Sequence, residues 1–117
     1  MGVRRFLYVF GLQNTLEVFY TARIFGAADA LQMGFVRRVE KPEALDGMVD
    51  EWCSMVAENA PLTLKALKLT VNTLGRDAGE RDMAAVNRAL AACYASDDYR
   101  EGAKAFMEKR PPRFRGA

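Results

Sequence analysis

Lys104, Lys109, Arg110, Arg113 and Arg115, interleaved with Phe106 and Phe114, crowd the end of the chain in the run EGAKAFMEKRPPRFRG. Ammonium and guanidinium groups pair with phosphate oxygens, and an aromatic ring can pack on a base. This mixture is the sequence's best provision for holding a nucleotide-like anion. The same residues also fit a plainer account. Phe106 would then be core, and the cations a solvated helix end that the helix dipole favours.

Elsewhere the provision for chemistry is thin. The chain has no histidine, which removes the commonest general base, the commonest metal ligand and every Ser-His or Cys-His nucleophile. Cys53 and Cys93 fall on apolar helix faces, which predicts reduced core thiols and neither a disulfide nor a metal site. No glycine pair has the spacing of a phosphate-cradling loop. The acids of Asp77–Asp82 alternate with Arg76 and Arg81 and read as a solvated turn. Asp50 and Glu51 are adjacent and so diverge on a helix, and Asp97 and Asp98 suit a helix start. Ser54 and Ser96 have no base to activate them. No catalytic residue and no metal site are therefore expected.

The elements that would position the tail are helical. Val3, Phe6, Leu7 and Phe10 recur at helical spacing, Gly11 interrupts, and Leu12, Leu16, Phe19 and Tyr20 resume it. A short helix over 27–33 should close at Gly34. Phe35–Val39 is the one candidate strand. Pro42 opens a helix with a stripe of Leu45, Val49, Trp52, Cys53 and Val56, and Pro61 opens another whose apolar residues cover more than one face. Met83, Val86, Leu90 and Cys93 stripe a fifth helix. Ser96 or Asp97 caps a last one along which Tyr99, Ala103, Phe106 and Met107 align. The expected class is mainly α, with at most one short strand at about 35–39.

The composition, 50% hydrophobic and 27% charged, is that of a globular domain. No stretch reaches the roughly 20 apolar residues of a membrane span. The run after Arg4 and Arg5 lacks the small-residue cleavage site of a signal peptide, and the chain reads as cytoplasmic. Residues 98–117 hold six Lys/Arg against three Asp/Glu, so the cationic excess sits in the tail. No helix presents a basic stripe, which argues against a nucleic-acid partner.

Three segments taken in order resemble one family. Gly2, Val3, Arg5, Gly11, Leu16, Thr21, Ala27, Ala30, Gly34 and Val36 fall in register with the later part of an enoyl-CoA hydratase/isomerase, the crotonase family. Asn59, Ala60, Pro61, Lys68 and Asn72 are similar to its N-A-P…K…N helix. Asp98, Glu101, Gly102, Ala105, Phe106, Glu108, Lys109, Arg110, Pro112 and Phe114 match its ending. Ala22 departs from a common Gly, Gly26 from a capping Asp or Ser, and Val86 from a frequent Glu.

The resemblance implies the C-terminal helical oligomerisation region of a crotonase-like fold. Residues 1–41 would end the crotonase core and 42–117 would form the helical trimerisation region. Members act on acyl-CoA thioesters as substrates, need no cofactor, and assemble as trimers or hexamers. The oxyanion-hole amides and catalytic glutamates precede the matching part, so the resemblance assigns no catalytic residue, and this chain alone is expected to be inactive. Its partners would be copies of itself or a missing N-terminal half. By the same resemblance Phe106 would touch the nucleotide end, and Lys109 the phosphates, of CoA bound to a neighbouring subunit. The alternative is a non-enzymatic helical assembly module derived from a truncated crotonase.

Overall fold

The computed structural model describes residues 2–117. The described residues form α1 (Val3–Thr21), α2 (Ala27–Gln32), α3 (Pro42–Ala57), α4 (Pro61–Leu74), a 3-10 turn (Ala78–Glu80), α5 (Met83–Ala95) and α6 (Asp97–Met107). They contain no strand, in keeping with a mainly α chain. They fall into two compact units divided between Gly47 and Met48, inside α3.

In the first unit α1 breaks at Gly11, whose φ of 73° and ψ of 174° belong to a region only glycine enters readily. Thirteen residues of straight helix would span roughly 20 Å. The rings of Phe6 and Phe19 are nevertheless 5.1 Å apart, so the two halves of α1 fold back on each other. The break frees carbonyls, and nearby side chains take them up: Asn14 Nδ2 donates to Phe10 O at 2.9 Å and Thr15 Oγ1 to Gly11 O at 2.7 Å. Phe10 is buried and meets Phe6 and Phe35.

Gly34 closes α2 as the sequence predicts, with φ 77°. Gly34 N–H donates to Leu31 O at 3.1 Å and Phe35 N–H to Ala30 O at 2.8 Å, the paired bonds of a Schellman motif. Val36 N–H also turns back to Ala30 O. The first amides of the candidate strand are thus spent on closing α2, and Phe35–Val39 joins no ladder.

The predicted stripe of α3 has helical period but is not core: α3 contains no buried residue, and Trp52 and Val56 are 42% and 52% exposed. Cys53 is exposed with them, which corrects its assignment as a core thiol; Cys93 is half-buried.

In the second unit α4 packs on α5 and α5 on α6. Ala66 and Thr73 of α4 and Val86 of α5 are buried. An apolar side chain suits position 86, since a carboxylate there would lose its water. The other face of α4 stays open, with Leu67 and Val71 58% and 61% exposed. The two caps are clear. Asp82 Oδ1 accepts from Ala85 N–H at 2.8 Å, and Ser96 Oγ accepts from Tyr99 N–H at 3.1 Å. Ser96 Oγ also donates to Cys93 O at 2.6 Å, so a single residue ends α5 and begins α6.

Candidate functional site

The tail is built on α6, and its helical period sorts the residues into two faces. Asp98, Glu101, Gly102 and Ala105 lie one turn apart along one side. Asp98 and Ala105 are buried, and the last eight residues of the chain run back along this face. Tyr99, Ala103 and Phe106 lie along the adjoining side.

The helix ends in a second Schellman motif. Lys109 N–H donates to Phe106 O at 3.2 Å and Arg110 N–H to Ala105 O at 3.0 Å. Lys109 takes the left-handed turn, with φ 53°, that Gly34 takes in α2. An L-residue there carries a cost of about 1–2 kcal/mol. The next residue is pinned. Arg110 Nη1 and Nη2 donate to the two carboxylate oxygens of Glu101 at 2.6 and 3.0 Å, and Arg110 Nε donates to Glu108 Oε2 at 2.7 Å. The Arg110 guanidinium, helped by the Arg113 N–H that donates to Glu101 Oε1 at 2.9 Å, holds the Glu101 carboxyl down at about 2. The same bonds raise Arg110 above the usual guanidinium range.

Of the cap candidates Ser96 and Asp97, Ser96 caps α6, and Asp98, read from sequence as a helix-start acid, has another role. The Asp98 carboxylate is 4% exposed and accepts from Arg115 N–H at 2.7 Å and Gly116 N–H at 2.8 Å. Asp97, also expected at the cap, pairs with Arg100 instead.

Next to this face, α4, α5 and α6 frame a groove of ≈ 710 Å³ whose lining also takes in Asp98 and Gly102. Leu62, Ala66 and Leu67 form its α4 side, Leu90, Cys93 and Tyr94 its α5 side, and Tyr99, Ala103 and Phe106 its α6 side. Phe114 adds a further wall from the tail. Of the residues that align along α6, Tyr99, Ala103 and Phe106 thus form a groove wall. Phe106 is 86% exposed and Met107 82% exposed, which overturns the plainer account of Phe106 as core. Helical period says which residues share a face and not what covers it.

Of the two residues singled out for CoA, Phe106 lines the groove and Lys109 stands exposed at the helix end. From the sequence Asp98 reads as a helix-start acid, and Glu101 enters only through the resemblance. No side-chain pattern shows that their partners are main-chain amides twelve to eighteen residues on. The described residues hold no cluster of three metal-ligating side chains, and none of their helices is long and apolar enough to cross a membrane.

The enoyl-CoA hydratase/isomerase family profile matches residues 1–117. The chain is 29% identical over 118 aligned residues to methylmalonyl-CoA decarboxylase of Escherichia coli, covering 99% of this chain and 45% of that protein. It is 27% identical over 109 residues to a short-chain-enoyl-CoA hydratase of Clostridium acetobutylicum, covering 93% and 42%. A crystal structure of enoyl-CoA hydratase subunit I from Geobacillus kaustophilus superposes with a TM-score of 0.80 at 32% identity, over 98% of this chain and 45% of that one. The chain thus spans less than half the length of these relatives.

Proposed function

Because the chain belongs to the enoyl-CoA hydratase/isomerase family along all 117 residues, we propose that it works as the C-terminal helical part of such a protein. In this role it joins subunits and lends the edge of a neighbour's CoA site. Phe106 packs on the nucleotide end of that CoA, and Lys109 meets its phosphates. The observation that carries this reading is the tip of α6, where Phe106 is 86% exposed and the adjoining Lys109 keeps a conformation that glycine would hold at lower cost. The bonds of Arg110 to Glu101 and Glu108 support it by fixing the chain just beyond Lys109.

The matched relatives bear the names of a decarboxylase and of hydratases. All those names refer to CoA thioesters, so the substrate class we propose is an acyl-CoA, with no cofactor. The oxyanion-hole amides and proton-moving glutamates belong to the other part of a family member, and the present chain alone does not turn over an enoyl-CoA. The open apolar faces of α3 and α4 support assembly, which on the family reading is a homotrimer or hexamer, or pairing with an N-terminal half. The same faces favour a second reading, a helical assembly module without enzymatic function.

Coenzyme A binding to the assembled protein, measured by calorimetry for the parent chain, Phe106→Ala and Lys109→Ala, tests the reading. Both variants should weaken binding about tenfold or more. Unchanged affinity in both, with light scattering still showing an oligomer, would leave the assembly module.

A further inference from the structure

The last eight residues are held on α6 by two carboxylates one helical turn apart, which take main-chain amides beyond the Arg110–Glu101 pair. Glu101 takes the Arg113 N–H, and Asp98 takes the Arg115 and Gly116 N–H groups. Asp98 returns its own N–H to Ala117 O at 3.1 Å. Between these points the Phe114 ring lies over Gly102, whose missing Cβ would stand 3.5 Å from the ring, an ordinary contact distance. Gly116, with φ 80°, closes against Pro61 at the start of α4. The segment begins with Arg110, Pro111 and Pro112. The two prolines restrict its freedom before it docks, which lowers the entropy lost on docking.

The groove borders this contact, since Asp98, Gly102 and Phe114 all line it. Phe114 is the only residue beyond α6 that lines it, and Cys93 lines it from α5. We propose that residues 110–117 form a latched strap: Asp98 and Glu101 clasp its main chain so that Phe114 serves as a detachable wall of the α4–α6 groove, and undoing the clasp opens the groove on that side. Asp98 grips main-chain amides alone, whereas Glu101 holds the Arg110 guanidinium as well as the Arg113 N–H, so the strap is anchored by a side chain at its start and by its backbone beyond. Arg113 and Arg115 keep their side chains exposed along it.

The clasp and the wall are read separately, in a Cys53→Ser background where Cys93 is the sole thiol. Amide hydrogen exchange at Arg113, Arg115 and Gly116 reports the clasp. The rate of Cys93 with an aromatic disulfide reagent reports the wall. Asp98→Asn should speed exchange at Arg115 and Gly116, and Glu101→Gln at Arg113, each about tenfold. Both should speed Cys93 modification several-fold. Phe114→Ala should speed Cys93 with the amides still protected. The proposal is overturned if these amides already exchange freely in the parent chain, or if Cys93 reacts at one rate in all four proteins. Should Asp98→Asn lose its helical circular dichroism, Glu101→Gln and Phe114→Ala decide the matter.

Discussion

Arg110 and Glu101 meet edge to edge, with two parallel N–H···O bonds of 2.6 and 3.0 Å joining the second turn of α6 to the second residue beyond its capping residue. This is the bidentate geometry a guanidinium and a carboxylate favour. It explains how a helix that lacks a C-terminal glycine still stops cleanly.

The pair carries a pH signature. Glu101 titrates at about 2 in the fold against an ordinary 4.5. A depressed carboxyl contributes stability that is complete above its unfolded value and is lost as pH falls through its folded one. The difference in denaturation midpoint between the parent chain and Glu101→Gln should therefore be widest above pH 4.5 and shrink towards pH 2. A gap that stays constant across that window would show that Arg110 does not depend on the charge.

Gly11 sets the fold-back of α1. Nothing lies within 4 Å of where its Cβ would be, so the demand on this residue is conformational and not steric. Gly11→Ala should cost about 1–3 kcal/mol in denaturant unfolding. A loss of only a few tenths would mean that the backbone relaxes out of the break without penalty.

Ala22 should respond in the opposite sense. It closes α1 at φ 47° and ψ 24°, its N–H bonded to Val18 O at 3.2 Å. Ala22→Gly should raise stability by about 0.5–1 kcal/mol, the relief of left-handed strain less the extra freedom of glycine in the unfolded chain. A lowered midpoint would count against the left-handed cap.

Lys109 separates stability from use. Lys109→Gly should stabilise the chain by up to about 1 kcal/mol, by the same reasoning as for Ala22. On the proposed reading it also weakens CoA binding by the assembled protein. Thermal unfolding and calorimetry on one preparation check both effects. A variant that gains stability and keeps its affinity would show that the left-handed lysine serves no ligand.

Much of this was legible in the chain. Helix period, Pro42, Pro61, Gly34 and Ser96 located most of the helices and several of their ends, because those signals are local. Gly11 was legible as an interruption, but the return of Phe19 onto Phe6 was not, since it depends on a dihedral value. Asp98 misled because an acid at a helix start is normally explained by capping, whereas its partners here lie seventeen and eighteen residues away. Lys109 gave no sign of its left-handed turn, as Glu-Lys-Arg contains none of the residues that usually mark one. Phe106 and Cys53 share one lesson. Apolar faces were readable, but what lies against them was not.

Ser96 has a consequence for how this region can vary. With one residue serving both helices, the spacing between α5 and α6 behaves as a phase angle. Each inserted residue would turn α6 by about 100° about its axis. One extra residue would swing Phe106 off the groove and carry the tail that α6 holds away from Pro61 of α4, with every side chain unchanged. Length at this junction is therefore a coordinate of the site, while substitutions on the outer faces of both helices leave the aim intact.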